Sequence, residues 1–339
     1  MSRPTGLRTV PQLIDAGLAD EADRDALTEV ARRLPVGVSP AMAAVLTPGD
    51  PVARQLLPTP AELDVAPDEH PDPIGDARHS PLPGLVHRYP DRVLLTPTLL
   101  CAVYCRFCFR RDVVGDGVLT DAELAAALDY IRAHPQIWEV ILTGGDPLVL
   151  APRRLGEIIA ALDAIPHVRV LRVHTRVPLV APERVNDDLL EALRVPTPVY
   201  VALHSNHARE FTPAGRAACA RLVDHGLPML SQTVLLRGVN DSVEALEALM
   251  RTFVENRIRP YYLHLLDRAE GTRHFRVPLD EGQRLVRTLR GRVSGLAQPV
   301  FVLDIPGGHG KVPIGPGYLH EGGEVEDPWG RRHRLGEGR

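Results

Sequence analysis

Lysine is almost missing from this chain: of 39 lysines and arginines, only residue 311 is a lysine. An arginine-dominated chain is often codon bias, because either cation solvates most surface positions equally well. A lone surviving lysine marks a position where arginine cannot substitute. Arginine stays protonated and forms no stable imine, whereas a lysine amine can lose its proton and join an aldehyde. Cysteine is also scarce. Of four, three stand together and Cys219 lies alone, so no second pair exists for a disulfide framework or a zinc ribbon. No apolar run approaches the ~18 residues of a membrane helix, and no signal peptide is recognisable, so neither membrane spanning nor export is expected. The formal net charge of −4 offers no basic field for nucleic acid. No repeat or low-complexity tract is present. At 339 residues and 44% hydrophobic content the chain can bury a large core.

The clustered cysteines lie in Cys101-Ala-Val-Tyr-Cys105-Arg-Phe-Cys108. Their spacing brings three thiolates around one small volume. A cubane iron–sulfur cluster normally takes four cysteines, one per iron, so a triad implies one iron open to an outside ligand. The competitor is structural zinc with histidine as fourth ligand, although such sites usually split their ligands into two separated pairs. Cys219, in Arg216-Ala-Ala-Cys-Ala, reads as a small core residue. Lys311 follows Asp304-Ile-Pro-Gly-Gly-His-Gly, where Gly307, Gly308 and Gly310 permit close backbone approach to a ligand. It is a candidate for holding pyridoxal phosphate, and the plainer alternative is a phosphate-binding or surface lysine.

The first 85 or so residues carry short helical patterns (Val10 to Ala16, Ala22 to Leu34, Pro40 to Val45), then a Pro/Asp-rich stretch from Pro58 to Pro83. From Arg92, β-branched runs alternate with helical segments. Val93 to Thr98, Glu139 to Thr143, Val168 to Thr175, Val199 to His204, Met229 to Leu236 and Tyr261 to Leu266 read as six strands, nearly continuous in apolar residues as parallel buried strands are. Thr120, Thr212 before Pro213, and Asp241 read as helix caps. Six βα units predict an α/β fold, an open (β/α)6 partial barrel, and a seventh short strand, Pro299 to Asp304, delivers Lys311 to its mouth. The expected division is a helical extension over 1–85, the barrel over 86–298 and a lysine-bearing segment with a polar tail over 299–339. The cysteine loop, Gly144-Gly145-Asp146, His204, Gln232 and Asp267 all lie in or just after strands, toward the face where parallel barrels place active sites.

With an aromatic, Phe107, before its third cysteine, the CxxxCxxC run resembles the signature of radical S-adenosylmethionine enzymes. Ser80-Pro-Leu-Pro-Gly-Leu-Val-His-Arg-Tyr-Pro-Asp-Arg92, the Gly-Gly-Asp loop, His204-Ser-Asn-His207, Tyr261-Tyr262-Leu263 and the Asp304 to Lys311 segment narrow the resemblance to the lysine 2,3-aminomutase family, over roughly residues 45 to 320. It implies a [4Fe-4S] cluster on Cys101, Cys105 and Cys108, S-adenosyl-L-methionine chelated at the open iron, and pyridoxal 5′-phosphate on Lys311 with its phosphate gripped by Arg88, Tyr89 and Arg92. Gly144, Gly145 and Asp146 correspond to the loop meeting the methionyl amine, and His204 and Gln232 to further cofactor contacts. Arg110 matches the arginine that holds the substrate carboxylate, and Asp267 and Asp304 the acids that grip the distal ammonium of lysine. Glutamate-specific relatives replace this pair. The implied reaction is isomerisation of L-lysine to β-lysine in the cytoplasm by a homo-oligomer of at least two chains, with an electron donor such as flavodoxin or ferredoxin. Another cationic amino acid, β-lysine supply for elongation factor P, and a radical enzyme without pyridoxal phosphate stand as alternatives. Long-form members carry C-terminal cysteines that bind zinc; this chain has none after Cys219, so no zinc is expected.

Overall fold

The computed structural model describes residues 6–115 and 117–335; the chain ends assigned above to the first and last segments, 1–5 and 336–339, lie outside. One nine-stranded sheet organises the molecule, with its strands adjacent in chain order. They are β1 (Leu85–Tyr89), β2 (Arg92–Thr98), β3 (Glu139–Gly144), β4 (Val170–Thr175), β5 (Val199–His204), β6 (Met229–Leu235), β7 (Ile258–Leu265), β8 (Val300–Asp304) and β9 (Lys311–Pro313). From β2 to β8 every pairing is parallel, while β1 and β9 add antiparallel edges. Helices intervene at each parallel step, including Asp121–Ala133, Pro152–Asp163, Asp187–Ala192, Pro213–Asp224, Val243–Glu255 and Leu279–Arg292. Successive crossovers of one hand curl such a sheet. The two edges meet: the Lys311 backbone N–H on β9 donates to the Tyr89 hydroxyl on β1 at 2.7 Å.

The six expected strands and the seventh are present, with β4 starting two residues later and β7 three residues earlier than read from the sequence. Their expected continuity holds in β3 and β5, which are buried through Val140, Ile141, Leu142 and Thr143 and through Val201, Ala202 and Leu203, but not in every strand. Burial alternates along β4 and β6: Leu171, Val173, Met229 and Leu235 join the helix-facing core, while Arg172, His174 and Gln232 line the interior cavity. A barrel holding a polar site has two unlike faces, which restores the period of two. Thr120 and Thr212 cap their helices as expected, accepting from Glu123 N at 3.2 Å and Gly215 N at 3.1 Å. The third cap is Ser242, which accepts from Ala245 N. Asp241 instead accepts from Gly238 N and pairs with Arg237. Cys219 is fully buried in the main core, as read.

The N-terminal helices, Val10–Asp15, Arg24–Arg33, Pro40–Ala43 and an unanticipated Pro51–Leu56, share a second core of Leu13, Leu27, Met42 and Leu56 that takes in Val103 from the cysteine loop. Backbone bonds bind that loop to the extension, Tyr104 N to Gly37 O at 2.9 Å and Arg106 N to Gln55 O at 2.8 Å. Arg106, completely buried, pairs with Glu62 at 2.7 Å, and Arg111 joins the same carboxylate. Removing one partner from such a buried network costs roughly 3–5 kcal/mol, so the extension fixes the cysteine loop. The polar tail forms a hairpin, Glu324–Glu326 with Arg332–Arg334, tied to helix Leu279–Arg292 through Glu326 and Arg287. Among the described residues, no helix is long and apolar enough to cross a membrane.

Candidate active site

The carboxyl ends of the parallel strands open onto a cavity of about 590 Å³, and every site residue named from the sequence lines it. At one side lie the three cysteines. Burial drives the Cys101 thiol far above its ordinary range and pushes the Cys108 thiol up to about 11, with the neighbouring Cys105 adding to both. Such thiols keep their protons unless a cationic metal centre stabilises the thiolates. Arg176 Nη1 donates to Cys105 Sγ at 2.8 Å, and its other terminal nitrogen is held by Glu210 at 2.6 Å and Gln55 at 3.1 Å. The cysteine motif gave no sign of Arg176, whose role depends on the end of β4 reaching the loop after β2.

The Gly144-Gly145-Asp146 loop is built by close approach. Gly144 has φ 101°, and a Cβ there would stand 2.0 Å from Thr96 Cγ2; one on Gly145 would stand 2.3 Å from the Leu100 carbonyl oxygen. The Asp146 carboxylate accepts from Thr175 Oγ1, from Leu148 N, and from the Arg176 and Val177 amides. It thereby pins the loop after β3 to the end of β4, leaving the backbone of Gly144 and Gly145 toward the cavity. Gly144→Ala is expected to lower the melting temperature by several degrees, since positive φ costs about 1–3 kcal/mol before any clash. Thermal denaturation measures this, and an unchanged midpoint contradicts it.

His204 stacks edge-on against His174, with His174 Nδ1 and His204 Nε2 3.0 Å apart. One ring must donate and the other accept, so the accepting ring is neutral. Burial pushes His204 down to about 3 and His174 well below its ordinary value, and nearby cations add to this. Gln232 is the register partner of both His204 and Tyr262.

Across the cavity, a turn with Gly307, Gly308 and Gly310 all at positive φ folds β9 back on β8 and places Lys311 opposite Asp304. The Lys311 ammonium contacts the Asp304 carboxylate and lies 3.3 Å from His264 Nδ1, which is 3.2 Å from the same carboxylate. Burial pushes the Asp304 carboxyl up, but the His264 hydrogen bond and the Lys311 charge outweigh it and bring it down to about 2. Asp267 goes the other way, raised to about 7 by burial and then by the charge of Asp304. Sequence reading had no signal for His264 beyond a polar residue in an apolar strand.

Arg88 and Arg110 converge from β1 and the cysteine loop on one carboxylate, Asp76, at 2.8 and 2.6 Å. Arg92 lies over the Tyr89 ring, 3.7 Å from its centroid, and pairs with Asp91. Arg88 Nε, His264 Nε2 and Asp267 Oδ1 are buried with no hydrogen-bond partner. Orphaned atoms of this kind cost about 1–3 kcal/mol each, so their gathering in one cavity marks a site completed by a ligand.

The model of the radical SAM superfamily matches residues 95–250, and that of the lysine-2,3-aminomutase family residues 286–324. The L-lysine 2,3-aminomutase of Clostridium subterminale is 39% identical over 318 residues, covering 92% of this chain and 76% of its own length. The chain belongs to the lysine 2,3-aminomutase family. The enzyme of that name from Fusobacterium nucleatum is 42% identical over 271 residues, 79% of this chain and 64% of the relative. The glutamate 2,3-aminomutase of Clostridioides difficile is 33% identical over 323 residues, covering 94% and 76%. Lysine 2,3-aminomutases use a [4Fe-4S] cluster, S-adenosylmethionine and pyridoxal phosphate, and the residues present fit all three. Three clustered, half-buried thiols suit the cluster, the close-packed glycine loop and neutral histidine suit an adenosyl cofactor, and an amine sharing its cavity with an orphaned arginine Nε suits a phosphorylated aldehyde.

Proposed function

We propose that this protein moves the α-amino group of L-lysine to the β-carbon, giving β-lysine. The observation that carries the reading is the charge layout of the cavity: one guanidinium fork, Arg110, and two carboxylates, Asp267 and Asp304, line the same space. A cation for the α-carboxylate and two acids for a distal ammonium select a diamino acid over a neutral one. When bound, the cluster with S-adenosylmethionine supplies a 5′-deoxyadenosyl radical, and pyridoxal phosphate supplies the π-system for the migrating nitrogen.

The chain's own residues position and shield. Cys101, Cys105 and Cys108 hold the cluster. The Gly144–Gly145 backbone, fixed by Asp146, takes the methionyl amine, while His204 and Gln232 orient the rest of that cofactor by hydrogen bonds rather than charge. Arg88, Tyr89 and Arg92 grip the phosphate. Lys311 would hold the cofactor through its nitrogen until the substrate's α-amino group takes its place, and Asp267 and Asp304 would receive the distal ammonium. The assigned segments are 1–85 for support of the cysteine loop, 86–298 for the barrel and 299–339 for the anchoring lysine. The protein works in the cytoplasm as at least a dimer and takes electrons from a flavodoxin or ferredoxin.

The test incubates anaerobically reconstituted protein with S-adenosylmethionine, pyridoxal phosphate, dithionite and L-lysine, and separates α- from β-lysine by chromatography with mass detection. β-Lysine is expected to accumulate. Deoxyadenosine without β-lysine, from protein shown to hold both cofactors, overturns lysine as substrate and directs the assay to other cationic amino acids.

A further inference from the structure

Asp76 lies in the proline-rich segment before β1, where the sequence offers no motif, yet it joins two arginines assigned above to different ligands. Its Oδ1 accepts from Arg88 Nη2 at 2.8 Å, and its Oδ2 accepts from Arg110 Nη2 and Nε at 2.6 and 3.2 Å. All three side chains are at least four-fifths buried. Asp76 is itself fixed, because Asp72 accepts the Asp76 and Ala77 amides at 2.8 and 2.9 Å. The same segment is latched to the turn that carries Lys311: Arg78 Nη1 donates to Gly307 O at 2.8 Å, and His79 Nε2 lies 3.0 Å from Gly308 O.

A carboxylate between two anion-binding arginines is unfavourable for anion affinity as such, since it repels an incoming phosphate or carboxylate. Its benefit is geometric. It freezes two long, flexible side chains before any ligand arrives, and the frozen arrangement is tied to the lysine that anchors the cofactor. We infer that Asp76 is a positioning residue that holds Arg88 and Arg110 at a fixed spacing, so that the phosphate end of the cofactor and the carboxylate end of the amino acid are gripped in register. This rests on the reading of Arg88 as the phosphate ligand and Arg110 as the carboxylate ligand. Each of Asp76's oxygens serves one arginine, so no neutral isostere can replace it: an asparagine amide presents a donor to one guanidinium and releases it.

The sign of the effect separates positioning from charge. In Asp76→Asn, loss of positioning weakens pyridoxal phosphate binding and raises the lysine KM, each by about tenfold, with a smaller change in kcat; loss of a repulsive charge alone tightens both. Pyridoxal phosphate affinity is read by absorbance titration of the cluster-loaded protein without turnover. Asp76→Glu keeps the charge and both acceptors and shows a smaller rise in the same two constants; where the asparagine variant does not fold, this variant decides by the same sign. Arg110→Lys is measured alongside. If it raises the lysine KM while both Asp76 variants leave the two constants unchanged or lower them, the positioning role is overturned and the reading of Arg110 stands. If Arg110→Lys leaves the lysine KM unchanged, the reading of Arg110 fails instead.

Discussion

Lys311→Ala is expected to lower β-lysine formation by at least about a thousandfold while leaving reductive cleavage of S-adenosylmethionine measurable. The proposed roles fall on different elements lining one cavity: the cysteine loop after β2 for the radical and the β8–β9 turn for the amine. Because the chain has no other lysine, the label is unambiguous. Borohydride reduction of the pyridoxal phosphate-loaded wild type is expected to fix one pyridoxyl group per chain, on the peptide containing residue 311, and none on the variant. Lys311→Arg is expected to fail equally, since its guanidinium retains the contact with Asp304 but forms no imine. β-Lysine formation by either variant at the wild-type rate refutes the assignment. Deoxyadenosine production serves as the internal control that cluster and fold survive.

Asp267→Asn and Asp304→Asn are each expected to raise the lysine KM by about 10- to 100-fold, the equivalent of a charge-assisted hydrogen bond of roughly 1.5–3 kcal/mol. The wild type carries a pH signature that the variants help to assign. Asp267 is pushed up to about 7 by burial and the charge of Asp304, so below neutrality it holds a proton that a bound ammonium must displace. Between pH 5.5 and 8.5 the lysine ammonium stays charged. The lysine KM is therefore expected to fall as pH rises to about 7 and to level off above it, and Asp267→Asn to flatten that profile. Stability follows the opposite sense. A carboxyl raised from 3.8 to about 7 contributes stability that is fully present at low pH and is lost as pH rises through that window. Steady-state kinetics across the pH range, with iron and pyridoxal phosphate content as controls, measures the first effect. A KM independent of pH in the wild type contradicts the role of Asp267.

Local chemistry was legible because it follows from residue type and spacing. Three cysteines within eight positions have few uses, and one lysine in an arginine-rich chain points to an amine that must lose its proton. Repeated β-branched runs separated by capped helices fix a right-handed parallel sheet, whatever the details of packing. Even the charge pattern of the cavity could be read by resemblance, because Arg110, Asp267 and Asp304 sit in motifs with distinctive neighbours.

Residue type and spacing specified the α/β curl, the cysteine loop and the lone amine. Tertiary structure alone decided which groups hold those parts in place. Arg176 reaches Cys105 across 71 residues, Glu62 clamps Arg106 from 44 residues away, and Asp76 spans to Arg110 over 34. None of these separations has a local period, so no pattern of propensity or spacing signals them. The alternation of β4 and β6 escaped for a related reason: whether an interior position is apolar or polar depends on whether the barrel is filled or holds a cavity, and that is settled only when the two sheet edges meet at Tyr89 and Lys311.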